Sequence, residues 1–194
     1  MAQIPLTERR WTRAEYHQLS QFGILQCEPV ELIDGLLIVA EPKGTYHVTG
    51  VGMVSQALRN ALPPGWLVRS QDPIALDDES EPEPAVAAVA GDLSDYLDDH
   101  PRRAVLVVEV ADTSLAFDRR QKGSLYARGG VEDYWIVNLV EQVLEVYRDP
   151  APDESAVHGW SYRSMQRRTA DGSVTLLALP DVRLAVRDLL PSRR

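Results

Sequence analysis

The sequence predicts a mixed α/β (α+β) fold built on a central β-sheet with few helices. Three observations carry that expectation. Short apolar runs rich in β-branched residues alternate with turn signals from about position 30 onward. One of them, "VLVVEVA" (105–111), is apolar enough for a strand covered on both faces. Only three stretches combine helical spacing with recognisable ends.

Taken in order, "WTRAEYHQLSQFGIL" opens with Thr12 and Glu15 at capping-box spacing and reaches Gly23, a suitable stop, so a short helix is expected. "VELIDGLLIVAEP" places Asp34-Gly35 between two apolar segments, the signature of a β-hairpin. "TYHVTGVGMVSQALRNAL" has Val48, Val51, Val54, Leu58 and Leu62 near helical spacing before Pro63-Pro64, although Gly50 and Gly52 weaken it. "GWLVRSQDPIAL" suggests a strand, and the acidic, proline-bearing run 77–84 a solvated loop. "PAVAAVAGD" suggests another strand, followed by a short helix or loop up to Pro101 and then the 105–111 strand. A third helix is expected from Thr113 or Ser114 to Gly129-Gly130. "EDYWIVNLVEQVLEVYRDP" reads as two strands and a tight turn, and "ADGSVTLLALPDVRLAV" as a further turn with a strand or two. Tyr126, Tyr134 and Trp135 are taken as core. Nothing repeats internally, and one domain over 1–194 is expected.

The chain has 194 residues, 44% hydrophobic and 25% charged, the balance of an ordinary globular protein. A single cysteine, Cys27, excludes an internal disulfide and a multi-cysteine zinc site, and fits a reducing cytoplasm. No segment has signal-peptide or membrane-span character, so a soluble cytoplasmic protein without membrane contact is expected. The net charge of −9 argues against coating nucleic acid through bulk electrostatics, but leaves room for an enzyme with a locally basic site.

Glu109 interrupts the most apolar strand. An ionised carboxylate is costly to bury unless paired or bound. An exposed strand end, an edge strand's solvent face or a buried arginine would each account for it. The following helix carries Asp118 and Lys122 at i,i+4, which alone reads as a weak surface pair. A helix directly after a strand can also fold back and bring its lysine to the carboxylate. Such a group suits metal-dependent hydrolysis: carboxylates bind Mg²⁺, the metal polarises a phosphoryl oxygen, and lysine orients water or offsets developing charge.

Six pieces in order, "VELIDG" (30–35), His47, "SEPEPAVAAV" (80–89), "LVVEVADTS" (106–114), "DRRQKGSLYARGGVEDYWIVNL" (118–139) and "VLEVYRDP" (143–150), resemble the putative restriction endonuclease family of the PD-(D/E)xK nuclease superfamily. The resemblance spans most of the chain. It implies a restriction-endonuclease-like core with a central mixed sheet flanked by helices, plus extra C-terminal strands. It also implies an endonuclease hydrolysing DNA with Mg²⁺ (or Mn²⁺) and acting as a homodimer. Residue by residue, the metal-binding glutamate falls on Glu109. The motif lysine is absent at Ala111 and its place falls to Lys122, while Glu31 matches the early acidic residue that supports the site. His47 matches a family position, though a histidine at a helix start also serves as a surface or capping residue.

The departure lies at Ala85. The family has Pro-Asp where this chain has Pro84-Ala85, and alanine offers a cation no side-chain oxygen. A weakened metal site and weakened or absent hydrolysis are expected. The change is engineered or natural, or a neighbour, Glu83 or Asp92, stands in for the lost ligand. A non-catalytic binding or scaffold protein that kept the fold is the alternative, and a purely structural oligomer subunit a third.

Overall fold

The computed structural model describes residues 8–25, 28–40 and 42–192; Cys27 lies outside the described residues. Helix α1 (Arg13–Gln21) starts where the sequence places it: the Thr12 side chain accepts from the Glu15 N–H, and the Glu15 carboxylate accepts from the Thr12 N–H. The hairpin β1 (Val30–Ile33) and β2 (Leu36–Val39) turns through Asp34 and Gly35, both at positive φ (50° and 74°), as a two-residue turn of primed type requires.

Helix α2 (Thr45–Ala61) is a full element despite its glycines. A Cβ on Gly50 would stand 2.9 Å from a Val110 methyl, so the glycine is what lets this helix lie close on the sheet. The sheet itself has six strands in the order β3-β4-β5-β6-β7-β8. These are β3 (Trp66–Arg69), β4 (Val86–Ala90), β5 (Leu106–Ala111), β6 (Asp133–Asn138), β7 (Val143–Pro152) and β8 (Trp160–Arg168). All neighbours are antiparallel except β5 and β6, which run parallel and are joined by a helical crossover. That crossover runs from α3 (Leu115–Phe117) through one wide π turn (Asp118–Lys122) into α4 (Gly123–Arg128). A hairpin of β9 (Ser173–Thr175) and β10 (Arg183–Ala185) supplies the extra C-terminal strands.

Period-two alternation divides β5 between two cores. Leu106, Val108 and Val110 pack with Val51, Val54 and Leu58 of α2 and with the C-terminal hairpin. Val107 and Ala111 face the other way, with Tyr126 of α4 and Tyr134 and Ile136 of β6. Glu109 has the parity of the second set, so it points toward the crossover. Among the described residues no helix is long and apolar enough to cross a membrane.

Two expectations need correcting. The acidic run 77–84 is not solvated as a whole: Ser80, Glu81, Pro82 and Pro84 are buried. Glu81 pairs with Arg13 Nε at 2.5 Å and His17 Nε2 at 2.8 Å, and its backbone bridges to Leu32. Asp118 and Lys122 form no surface pair either; both are buried. Strand β8, nine residues long, also goes beyond the sequence reading, which named only the strands on either side of it.

Candidate functional site

Four elements converge on a cleft of about 500 Å³ beside the C-terminal half of β5. Strand β5 delivers Glu109, the crossover delivers Lys122 and Tyr126, and β1 delivers Glu31. The bend before β4 delivers the backbone of Ala85. Lys122 Nζ lies 3.1 Å from Glu109 Oε1 and 2.9 Å from Glu31 Oε2. Tyr126 Oη donates to the same Glu109 Oε1 at 2.8 Å. Glu109 Oε2 accepts the Ala85 N–H at 3.1 Å, and Glu31 Oε2 accepts the Glu83 N–H at 3.0 Å. Glu109 and Lys122, each 6% exposed, therefore meet inside the protein.

This resolves how an acid sits in so apolar a strand. Three other buried carboxylates lean on arginine: Glu81 on Arg13, Asp133 on Arg148 and Glu145 on Arg119. Glu109 instead shares one lysine with Glu31. Burial works against the ammonium, but Glu109, Glu31 and Asp118 outweigh it and hold Lys122 protonated well above the usual lysine range.

The π turn matters here. Asp118, Lys122 and Tyr126 recur every four residues, the first two in the π turn and the third in α4. Tyr134 Oη donates to the Asp118 carbonyl at 2.9 Å and holds that turn against β6. Asp118 accepts from Ser114 Oγ at 2.6 Å; burial, then the Glu109 charge, push its carboxyl up to about 7. An acid raised above its ordinary 3.8 binds its proton more tightly in the folded state. It costs the fold nothing below the ordinary value and destabilises increasingly as pH rises toward about 7. Asp118→Asn is thus expected to gain stability relative to the parent chain across that window. Urea denaturation at pH values bracketing it checks the sign.

Tyr126, read from sequence as core, is fully buried and is also a polar member of the site. Its position one turn after Lys122 was the available signal. Burial and the Glu109 charge raise its hydroxyl well above the usual tyrosine range, so it stays a donor. Tyr126→Phe removes a buried bond to a charged group and is expected to cost about 1–3 kcal/mol, measured by chemical denaturation.

His47, in the first turn of α2, lines the same cleft. Its Nε2 is buried without a hydrogen-bond partner among the described residues, and burial and then Lys43 lower its affinity for a proton. Glu83 also lines the cleft, its carboxyl raised by burial and by Glu31. Asp92 does not: it caps the exposed 3-10 turn Leu93–Tyr96 by accepting from the Ser94 N–H at 2.8 Å, which removes it as a stand-in ligand.

A divalent cation needs several carboxylate or carbonyl oxygens facing one point. Here both oxygens of Glu109 already accept hydrogen bonds, and Ala85 brings a backbone N–H and a methyl group to the cleft. Among the described residues no group of three or more His, Cys, Asp or Glu is placed to hold a metal ion. The residues present do not complete a divalent-metal site.

Four chains of solved structures are similar to this one. One is described as the crystal structure of a putative nuclease belonging to DUF820 from Anabaena variabilis ATCC 29413. The likeness covers 88% of this chain and 96% of that one, with 14% identity and a TM-score of 0.64, a match of fold. No curated protein matches. The family model described as "Uma2: Putative restriction endonuclease" matches residues 13–187, which include every side chain of the cleft described above. The chain belongs to the Uma2 family of restriction-endonuclease-like proteins.

Proposed function

We propose that this chain is an endonuclease-like protein directed at DNA whose phosphodiester hydrolysis is weakened or lost because Ala85 stands where the family's PD-(D/E)xK-type site has an aspartate. The observation that carries the reading is the Ala85 backbone itself. Its N–H donates to Glu109 Oε2 at 3.1 Å and the residue lines the cleft, which puts position 85 next to Glu109. Glu109 is the remaining metal-ligand position, Lys122 the lysine that offsets charge on the phosphoryl group, and Glu31 the group that orients Lys122.

In this chain no step passes through Mg²⁺ or Mn²⁺, because the donor set is incomplete. Its own residues supply a preformed lysine, held between two carboxylates, at the floor of the cleft. The same closed arrangement favours the alternative, a nuclease-fold binding or scaffold protein without catalysis. A cytoplasmic homodimer is the assembly we associate with either reading. The test is cleavage of supercoiled plasmid with Mg²⁺ or Mn²⁺ by the parent chain and by Ala85→Asp. Cleavage only by the variant supports the first reading; an inert variant that nonetheless binds metal favours the second.

A further inference from the structure

The Glu31–Lys122–Glu109 bridge has the charge pattern of a two-carboxylate cation site, with the cation already covalently attached. Lys122 Nζ reaches Glu31 at 2.9 Å and Glu109 at 3.1 Å, and all three side chains are largely withdrawn from solvent, at 7%, 12% and 7% exposure. An ammonium offers three donors and no more. Its neighbours are arranged for donors: the Tyr126 hydroxyl completes Glu109 Oε1, while the Ala85 and Glu83 amides complete Oε2 of Glu109 and Oε2 of Glu31. A metal arriving at Glu109 Oε2 would meet the positive end of the Ala85 amide. At Glu109 Oε1 it would meet the ammonium itself.

We propose that the Lys122 ammonium is the resident cation of this site, bridging Glu31 and Glu109 in place of a divalent ion, so that the chain as it stands recruits no Mg²⁺ or Mn²⁺ at Glu109. The inference rests on the proposed function only in taking position 85 as the missing carboxylate. Glu31 and Glu109 already leave one negative charge that the ammonium does not offset, and a third carboxylate there would add another and favour a divalent ion.

The test uses Mn²⁺ alone as probe, with binding followed by electron paramagnetic resonance of the free ion and by thermal melting against EDTA. The parent chain is expected to melt at the same temperature in millimolar Mn²⁺ and in EDTA. It is also expected to bind no Mn²⁺, or only Mn²⁺ that Glu109→Gln leaves untouched, held elsewhere on the acidic surface. Lys122→Met removes the ammonium and leaves the two carboxylates facing each other. Mn²⁺ is then expected to raise its melting temperature by several degrees. One equivalent of Mn²⁺ bound by the parent chain and lost in Glu109→Gln overturns the proposal. A folded Lys122→Met that Mn²⁺ fails to stabilise also overturns it. Should Lys122→Met not fold, the parent chain and Glu109→Gln decide alone. Ala85→Asp separates this inference from the functional reading: a variant that gains one Mn²⁺ yet leaves DNA intact upholds the resident cation and defeats the nuclease.

Discussion

Lys122→Met is expected to destabilise the fold by about 3–5 kcal/mol, the range found when one partner of a buried ion pair is removed. The size follows from what is left behind. Glu109 sits in the middle of β5, with all six residues of that strand buried, and without Lys122 its remaining charge-offsetting contacts among the described residues are the Tyr126 hydroxyl and the Ala85 amide. Glu31, a second acid, loses its cation at the same moment. Packing changes little, because methionine fills most of the lysine stem's volume, so the loss is electrostatic. Adding Glu109→Gln to Lys122→Met is expected to recover part of it, since a neutral amide no longer demands a counter-ion. The midpoint of urea denaturation measures both. A single variant within about 1 kcal/mol of the parent, the scale of a surface pair, would show that the bridge is solvated and not buried.

Ala85→Asp is expected to raise metal-dependent DNA cleavage by on the order of 100-fold or more, since even residues supporting metal ligands cost 10- to 100-fold when lost. The same substitution places a third carboxylate beside Glu109 and Glu31, so its stability should become metal-dependent in a way the parent's is not. Glu109→Gln added to Ala85→Asp is expected to abolish the gain. Plasmid nicking rates for the single and double variants measure the effect. A gain that survives Glu109→Gln would mean the activity comes from another site or a contaminant.

The parts of this fold that were legible in the sequence are those fixed by near neighbours. The Thr12–Glu15 capping box spans three residues, the Asp34-Gly35 turn two, and the β5 run carries its burial in its own composition. The convergence of Glu109 and Lys122 was also foreseeable, because a strand and the helix after it pack together and the two residues are only 13 apart.

What escaped depends on long-range partners. The run 77–84 looks solvated from its charges, yet Glu81 is buried by an arginine 68 residues earlier, and Arg128 holds Asp77 from 51 residues later. Tyr126 has an apolar neighbourhood that hides the use of its hydroxyl, visible only once α4 lies over β5. The π turn has no composition of its own. The bond from Tyr134 Oη to the Asp118 carbonyl ties it to β6, a partner 16 residues away. That Glu109 is answered by the Ala85 backbone amide and the Lys122 ammonium depends on how the bend before β4 and the crossover meet β5, which no local spacing records.

Whether this fold is a nuclease short of one carboxylate, as we propose, is read from the rate of Mg²⁺-dependent plasmid relaxation by Ala85→Asp measured beside the parent chain, with EDTA as control. The expected result is relaxation by the variant, abolished by EDTA, and little or none by the parent. Equal Mg²⁺-dependent relaxation by both chains would contradict it, because the parent would then be cutting DNA without the carboxylate held to be missing.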